Sequence, residues 1–185
     1  MGYNAGGAIT TGVDNVLVGG LTGDALTDAD VNIAIGTSAL SSDTLGSKSI
    51  AIGKGALFTQ NFTTATDSHN IAIGTNAGLS VTTGTQITLV GSLAGDAMED
   101  GHLNTGLGYA ALTSETRGQR AVAVGAFALQ TQNITTATES YNVAVGYNAG
   151  GAITKIIDHV YDQVNDVQKN VAGKDTFNLE PTDLD

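Results

Sequence analysis

Apolar and polar residues alternate in a short phrase that returns along most of the chain. It is clearest at Asn32-Ile33-Ala34-Ile35-Gly36-Thr37-Ser38-Ala39-Leu40. It recurs as Ser49-Ile50-Ala51-Ile52-Gly53, Asn70-Ile71-Ala72-Ile73-Gly74, Ala121-Val122-Ala123-Val124-Gly125 and Asn142-Val143-Ala144-Val145-Gly146, with weaker copies at 15–19, 87–91 and 104–108. Within Ile33-Ala34-Ile35 the period is two, so the isoleucines share one face and the alanine takes the other. β-Branched residues favour a strand. Glycine follows at once, where the chain must turn tightly. Ala39-Leu40 opens a second short apolar segment, and Ser41-Ser42-Asp43 and Gly46-Ser47-Lys48 read as polar turns.

The closing glycines are Gly2, Gly19, Gly36, Gly53, Gly74, Gly91, Gly108, Gly125 and Gly146, at intervals of 17, 17, 17 and 21, taken twice. Residues 2–73 therefore align on 74–145 without a gap, and the run 2–10 reappears unchanged at 146–154. The four extra residues return in place, with 59–70 matching 131–142. Such a period marks a repeat architecture. Seventeen residues are too few for two packed helices but suit one coil of a β-solenoid. The expected fold is all-β: a parallel β-roll of 17/17/17/21-residue coils over residues 1–154. The first coil begins inside the phrase, so its raw end is expected to stack on a partner or to continue a longer chain.

Both faces of the strand are apolar, which implies burial on both sides. The large Ile/Val face is expected to fill the roll interior. The small face, Ala34, Ala51, Ala72, Ala123 and Ala144, would let another backbone approach closely and is expected to be a subunit interface.

From residue 155 the pattern changes. Ile153, Ile157, Val160, Val164, Val167 and Val171 are spaced 4, 3, 4, 3, 4, a heptad seam of β-branched residues. Isoleucine at both seam positions favours trimers over dimers, and valine is a weaker form of that signal. About two heptads cannot stand alone, so a helix over 155–173 is expected to be nucleated by a trimeric roll and to stop at Gly173. Residues 174–185 form an acidic tail punctuated by Phe177, Leu179 and Leu184, a candidate docking peptide.

Glycine-rich, nearly proline-free composition without tryptophan fits a turn-rich repetitive protein. A net charge of −11 argues against nucleic acid, which needs a basic stripe, and against anionic membranes. No apolar run reaches the length of a membrane-spanning helix, so no membrane insertion is expected. There is no cysteine, nucleophile motif, phosphate loop or metal-ligand spacing, and His69, His102 and His159 lie far apart. The expectation is a non-enzyme without cofactor or metal.

The candidate recognition surface is the pair of enlarged coils. They are expected to protrude on one face, about 19 Å apart at ~4.8 Å per coil. Their candidate contact residues are Asn61, Phe62, Thr63, Thr64 and His69, with Asn133, Ile134, Thr135, Thr136 and Tyr141 in the second copy.

The phrase Asn-Ile-Ala-Ile-Gly-x-x-Ala, as in 32–39 and 70–77, resembles the head repeat of YadA-like trimeric autotransporter adhesins. It is also similar to the glycine-anchored repeats of bacteriophage fibre proteins. The resemblance covers residues 2–154. It implies a left-handed roll assembled as a homotrimer, with the small-residue strand facing the threefold axis. Two functions are expected from it. One is a fibre or decoration subunit on a phage virion, bound to other virion proteins through its N-terminal coil or C-terminal tail and contacting a host surface glycan or protein. The other is a head fragment of an adhesin on the bacterial cell surface. A monomeric carbohydrate- or ice-binding solenoid ranks third, because threonines cluster in the long coils instead of recurring in every coil.

Overall fold

The computed structural model describes residues 2–153. The strands are β1 (Val16–Val18), β2 (Ile33–Ile35), β3 (Gly46–Ser47), β4 (Ile50–Ile52), β5 (Thr66–Asp67), β6 (Ile71–Ile73), β7 (Thr88–Val90), β8 (Thr105–Leu107), β9 (Gly118–Gln119), β10 (Val122–Val124), β11 (Thr138–Glu139) and β12 (Val143–Val145). No helix occurs among the described residues. Eight three-residue strands form one parallel sheet in the order β1-β2-β4-β6-β7-β8-β10-β12. The registers Val16↔Ile33, Ile33↔Ile50 and Ile50↔Ile71 continue in the same manner to Val122↔Val143. Each coil thus lays one phrase on the last, giving a β-solenoid of about eight turns. The heptad residues Ile157, Val160, Val164, Val167 and Val171, and the acidic tail, lie outside the described residues.

The anchor glycines stack into a ladder of their own. Gly91 has φ +138°, and a Cβ there would sit 2.3 Å from the carbonyl oxygen of Gly108 in the next coil. Both the dihedral and the approach exclude any side chain. The Gly91 N–H donates to Ile73 O at 2.8 Å, and Gly36, Gly53, Gly74, Gly108, Gly125 and Gly146 repeat the bond. The leading asparagine of the phrase is a clamp between coils. Asn32 Nδ2 donates to Gly46 O at 2.9 Å, while its Oδ1 accepts from Ser49 N at 2.8 Å. Asn15, Asn70 and Asn104 make the same pair of bonds, so one buried amide satisfies one donor and one acceptor of its neighbour.

The strand faces the opposite way from the expectation. Ala34, Ala51, Ala72, Ala123 and Ala144 are not on an outer interface: they are buried in the chain's own core, the first four completely. The isoleucines and valines flanking them point outward. The reason is the width of the coil. The segment after the anchor glycine forms the opposite wall and also points Ala39, Ala56, Ala77, Ala94, Ala111 and Ala128 inward. Between these walls there is room for roughly one large side chain per coil. In three coils the strand offers alanine and the opposite wall leucine, Ala34 with Leu40, Ala51 with Leu57 and Ala123 with Leu129; Ala72 and Ala144 instead stand opposite Gly78 and Gly150, where leucines of neighbouring coils (Leu57 and Leu89, and Leu129) take the space. Where the strand offers Leu17 or Leu89, the opposite wall has Gly23 or Gly95, whose Cβ would fall within 3 Å of that leucine. Gly106 faces Leu112 by the same rule. β-Branched side chains on both strand faces would overfill this space.

The tight coil also demands positive φ at three places, illustrated in the second coil by Ser38 (+57°), Leu40 (+54°) and Lys48 (+62°). Most of these positions are not glycine. Val31, at φ +59°, is β-branched, the least suited of all to this region.

Candidate functional surface

Each enlarged coil is built over a buried acid. Asp43 Oδ1 accepts from Gly46 N (3.1 Å) and Phe62 N (3.0 Å), and Oδ2 accepts from Gln60 Nε2 (2.6 Å). Gln60 also donates to Ser49 Oγ and accepts from Asn70 Nδ2. The second super-repeat replaces Asp43 by Glu115, one methylene longer, with the same partners. Glu115 Oε1 accepts from Gly118 N (2.7 Å) and Ile134 N (3.0 Å), Oε2 accepts from Gln132 Nε2 (2.6 Å), and Gln132 accepts from Asn142. Asp43, Gln60, Glu115 and Gln132 have no exposed surface. Three N–H groups thus hold the Asp43 carboxyl and, with Thr116 N added, four hold that of Glu115, and the network fixes where the extra residues leave the coil.

That network missed detection in the sequence, although a signal was present. Seven residues after the first eight anchor glycines the chain reads Ile9, Leu26, Asp43, Gln60, Val81, Met98, Glu115, Gln132, and after the ninth it returns to Ile153. Two apolar residues, an acid and a glutamine repeat twice in one interior column.

The candidate contact residues divide by side. Phe62 and Ile134 are inward anchors, each only 6% exposed, so they are not available to a ligand. Phe62 lies against Gly46, where a Cβ would come within 2.7 Å of its ring. Asn61, Thr63, Thr64 and His69 are exposed, as are Asn133, Thr135, Thr136 and Tyr141. Asn61 and Asn133 are already engaged, accepting from Thr44 and Thr116 hydroxyls at 3.0 and 2.8 Å. The short pairs β3–β5 and β9–β11 hold the far ends of the two insertions in register with the preceding coil.

His69 and Tyr141, equivalent in the super-repeat, both stand beside a cation–carboxylate pair. Lys48 Nζ lies 2.5 Å from Asp67 Oδ2, and Arg120 Nε lies 2.9 Å from Glu139 Oε1. The Lys48 hydrogen bond holds the Asp67 carboxyl below its ordinary value, with a small contribution from His69. Tyr141 donates its hydroxyl to Glu139, which pushes the phenol above its ordinary value, and Arg120 sits 5.7 Å from the ring centroid. These pairs are exposed and stabilise the fold little.

His102 has a structural place. Its Nδ1 accepts from Thr85 N at 3.0 Å, the duty that Asp30 performs for Val13 N one super-repeat earlier. Among the described residues no group of three or more His, Asp and Glu side chains converges on one point, and no helix is long and apolar enough to cross a membrane.

The largest chemical feature is the outer face of the eight-stranded sheet. Each strand presents two outward side chains, giving the rows Val16, Ile33, Ile50, Ile71, Thr88, Thr105, Val122, Val143 and Val18, Ile35, Ile52, Ile73, Val90, Leu107, Val124, Val145. None is charged. Seven inter-strand spacings of ~4.8 Å make the stripe about 34 Å long. Neighbouring coils cover the flanks of each side chain, yet Ile35 and Ile73 remain more than a third exposed and Val145 is 70% exposed.

Comparisons with protein-family models, with functionally characterised proteins and with solved structures returned no match.

Proposed function

We propose that this chain is a non-enzymatic structural and recognition protein, one subunit of a homotrimeric, left-handed β-roll fibre or decoration on a bacteriophage particle. The observation that carries the reading is the uncharged stripe of Ile, Val, Leu and Thr along one face of a chain whose net charge is −11. An apolar face of this length is a cost to an isolated soluble chain and an asset to a bundled one. A partner with its own apolar row at the same coil rise can cover it end to end, and another copy of this chain has such a row. The axial contact in this reading is the Ile/Val stripe, since the alanines are spent inside each coil. The β-branched heptad of 155–173 supports three copies in preference to two.

In this assembly the two enlarged coils recur three times, and their exposed Asn, Thr, His and Tyr side chains offer weak contacts to a host surface glycan or protein that multivalency would strengthen. The phrase Asn-Ile-Ala-Ile-Gly supports an adhesin head on a bacterial surface as the second reading, with the same assembly. An ice-binding face is disfavoured, because the Thr10, Thr27 and Thr82 hydroxyls already donate to carbonyls of the next coil. Sedimentation equilibrium tests the reading. It predicts a mass three times the 18.6 kDa chain; a monomer at micromolar concentration would sink it.

A further inference from the structure

Three aromatic side chains meet on the outside of the last coils. Tyr109 and Tyr147 each follow an anchor glycine, and Phe127 stands one position further on in the coil between them. The Tyr109 and Phe127 ring centroids are 5.3 Å apart at 83°, and those of Phe127 and Tyr147 are 5.9 Å apart at 90°, an unbroken edge-to-face row. Tyr109 is 49% exposed and Tyr147 78%, while Phe127 is half-buried between them. The repeat does not call for these rings. One super-repeat earlier the three positions are Thr37, Gly55 and Thr75. Phe127 holds φ +61°, in the left-handed region that the equivalent Gly55 enters without strain.

Tyr109 and Tyr147 lie two coils apart, about 10 Å at ~4.8 Å per coil, so the row runs along the stacking direction. Ala126 holds the intervening position after Gly125, and its small side chain leaves room for Phe127 to prop the tyrosines apart. The surroundings are neutral. At these two positions of each coil no charged residue occurs from Thr75 onward, in a chain of net charge −11. Among the described residues neither tyrosine hydroxyl has a hydrogen-bond partner. Beside the row Gln130 Nε2 donates to Asn148 Oδ1 at 2.9 Å, which leaves the other half of each amide for a ligand.

We propose that Tyr109 and Tyr147, propped by Phe127, form a binding platform for a neutral, extended β-1,4-linked oligosaccharide of gluco configuration. The site is separate from the enlarged coils and holds whether or not copies assemble. An aromatic face carries negative potential and attracts the polarised C–H groups of a sugar ring. A pyranose with all-equatorial substituents has such C–H groups on both faces and its hydroxyls at the rim. The phenol and amide groups beside the row meet those hydroxyls. In an extended β-1,4-linked chain successive rings turn over, so every second ring offers the same face at a repeat close to the spacing of the two tyrosines. An α-1,4 linkage curves the chain away from the row, and the axial hydroxyl of galactose removes one apolar face and the extended shape together.

Titration of the full chain, followed by the sugar and aromatic proton resonances, tests the platform with cellobiose, cellotriose, tri-N-acetylchitotriose and maltotriose. At least one of the two β-1,4-linked trisaccharides should bind severalfold tighter than cellobiose, which reaches one tyrosine only, and maltotriose should bind no better than cellobiose. Tyr109→Ala and Tyr147→Ala should each weaken trisaccharide binding by roughly two- to tenfold and abolish its advantage over the disaccharide. Tyr3→Ala removes the lone tyrosine at the position equivalent to Tyr147 and should change nothing. All these side chains are exposed, and circular dichroism checks that the variants stay folded. No saturable binding of either β-1,4-linked trisaccharide at millimolar concentration overturns the platform, as does binding that survives the double tyrosine variant or equal binding of maltotriose. Tyrosine variants that lose assembled mass in a protein that binds no sugar also overturn it, and assign the rings to a contact between copies. A monomeric wild type that binds cellotriose through these rings upholds the platform and overturns the homotrimer alone.

Discussion

Exchanging the large and small residues of one coil tests the packing rule of the interior. Leu89 lies on the strand and Gly95 on the opposite wall, where a Cβ would meet the leucine Cδ atoms at 2.8 and 2.9 Å. Leu89→Ala alone removes a fully buried leucine and leaves a void, at a cost of about 2–5 kcal/mol. Gly95→Leu alone forces a second leucine into occupied space, costing roughly 1–3 kcal/mol. Gly95 sits at φ +54°, which adds about 1 kcal/mol for a side chain. The double variant recreates the arrangement of Ala34 with Leu40, a leucine that itself holds φ +54°. The new leucine fills the void left by the old one. It should therefore be more stable than the sum of the two single losses, by a favourable coupling of ~2–3 kcal/mol in the cycle. Urea unfolding followed by far-ultraviolet circular dichroism, at one fixed protein concentration, gives all four stabilities. Strict additivity, with the double variant as unstable as the sum of the singles, would refute the one-large-residue rule.

Other consequences can be checked in the same way. Gly91→Ala should destabilise by at least ~3 kcal/mol, since it combines an unfavourable φ with a clash against the next anchor, while Gly20→Ala, whose Cβ would meet nothing nearer than 4.0 Å, should stay within about 0.5 kcal/mol of wild type in the same melts. Val31→Asn should raise the melting temperature by an amount equivalent to about 1 kcal/mol, because asparagine accepts the left-handed region and Val31 is half exposed; an unchanged or lowered value contradicts the strain assigned there. For Tyr141 the sign runs from its raised phenol: the Glu139 hydrogen bond contributes below the unfolded value of about 10 and is lost as pH rises through the folded value. Ultraviolet titration should find one tyrosine late, and Glu139→Gln should return it to the ordinary range. For Asp67 the lowered carboxyl makes the Lys48 contact present at neutral pH and lost as acid takes pH down through its folded value.

The period was legible because it is imposed by backbone contacts that only glycine permits, and glycine is visible in a sequence. Register followed directly: Ile33, Ile50 and Ile71 pair as the anchor spacing requires. The direction of the strand was not legible, because Ile33-Ala34-Ile35 is apolar on both faces and alternation says only that they differ. What decides between them is the partner wall, and its message is distributed: leucine at 40 excludes isoleucine at 34, and leucine at 89 requires glycine at 95. The same holds for the enlarged coils. The sequence marks their exposed threonines, whereas Phe62 and Ile134 are turned inward by hydrogen bonds from their own backbone N–H groups to Asp43 and Glu115. An acid in an interior column reads as a turn residue until its glutamine partner one coil away is placed beside it.

The central claim is that the Ile/Val stripe, and not the alanine ladder, is where copies meet. Sedimentation of Ile52→Asp beside wild type tests it most directly. Ile52 points outward from β4, so the substitution should leave the circular dichroism spectrum and the coil intact. The account predicts wild type at three times 18.6 kDa and the variant at 18.6 kDa. An assembled variant with wild-type mass would contradict the claim, as would a wild-type monomer.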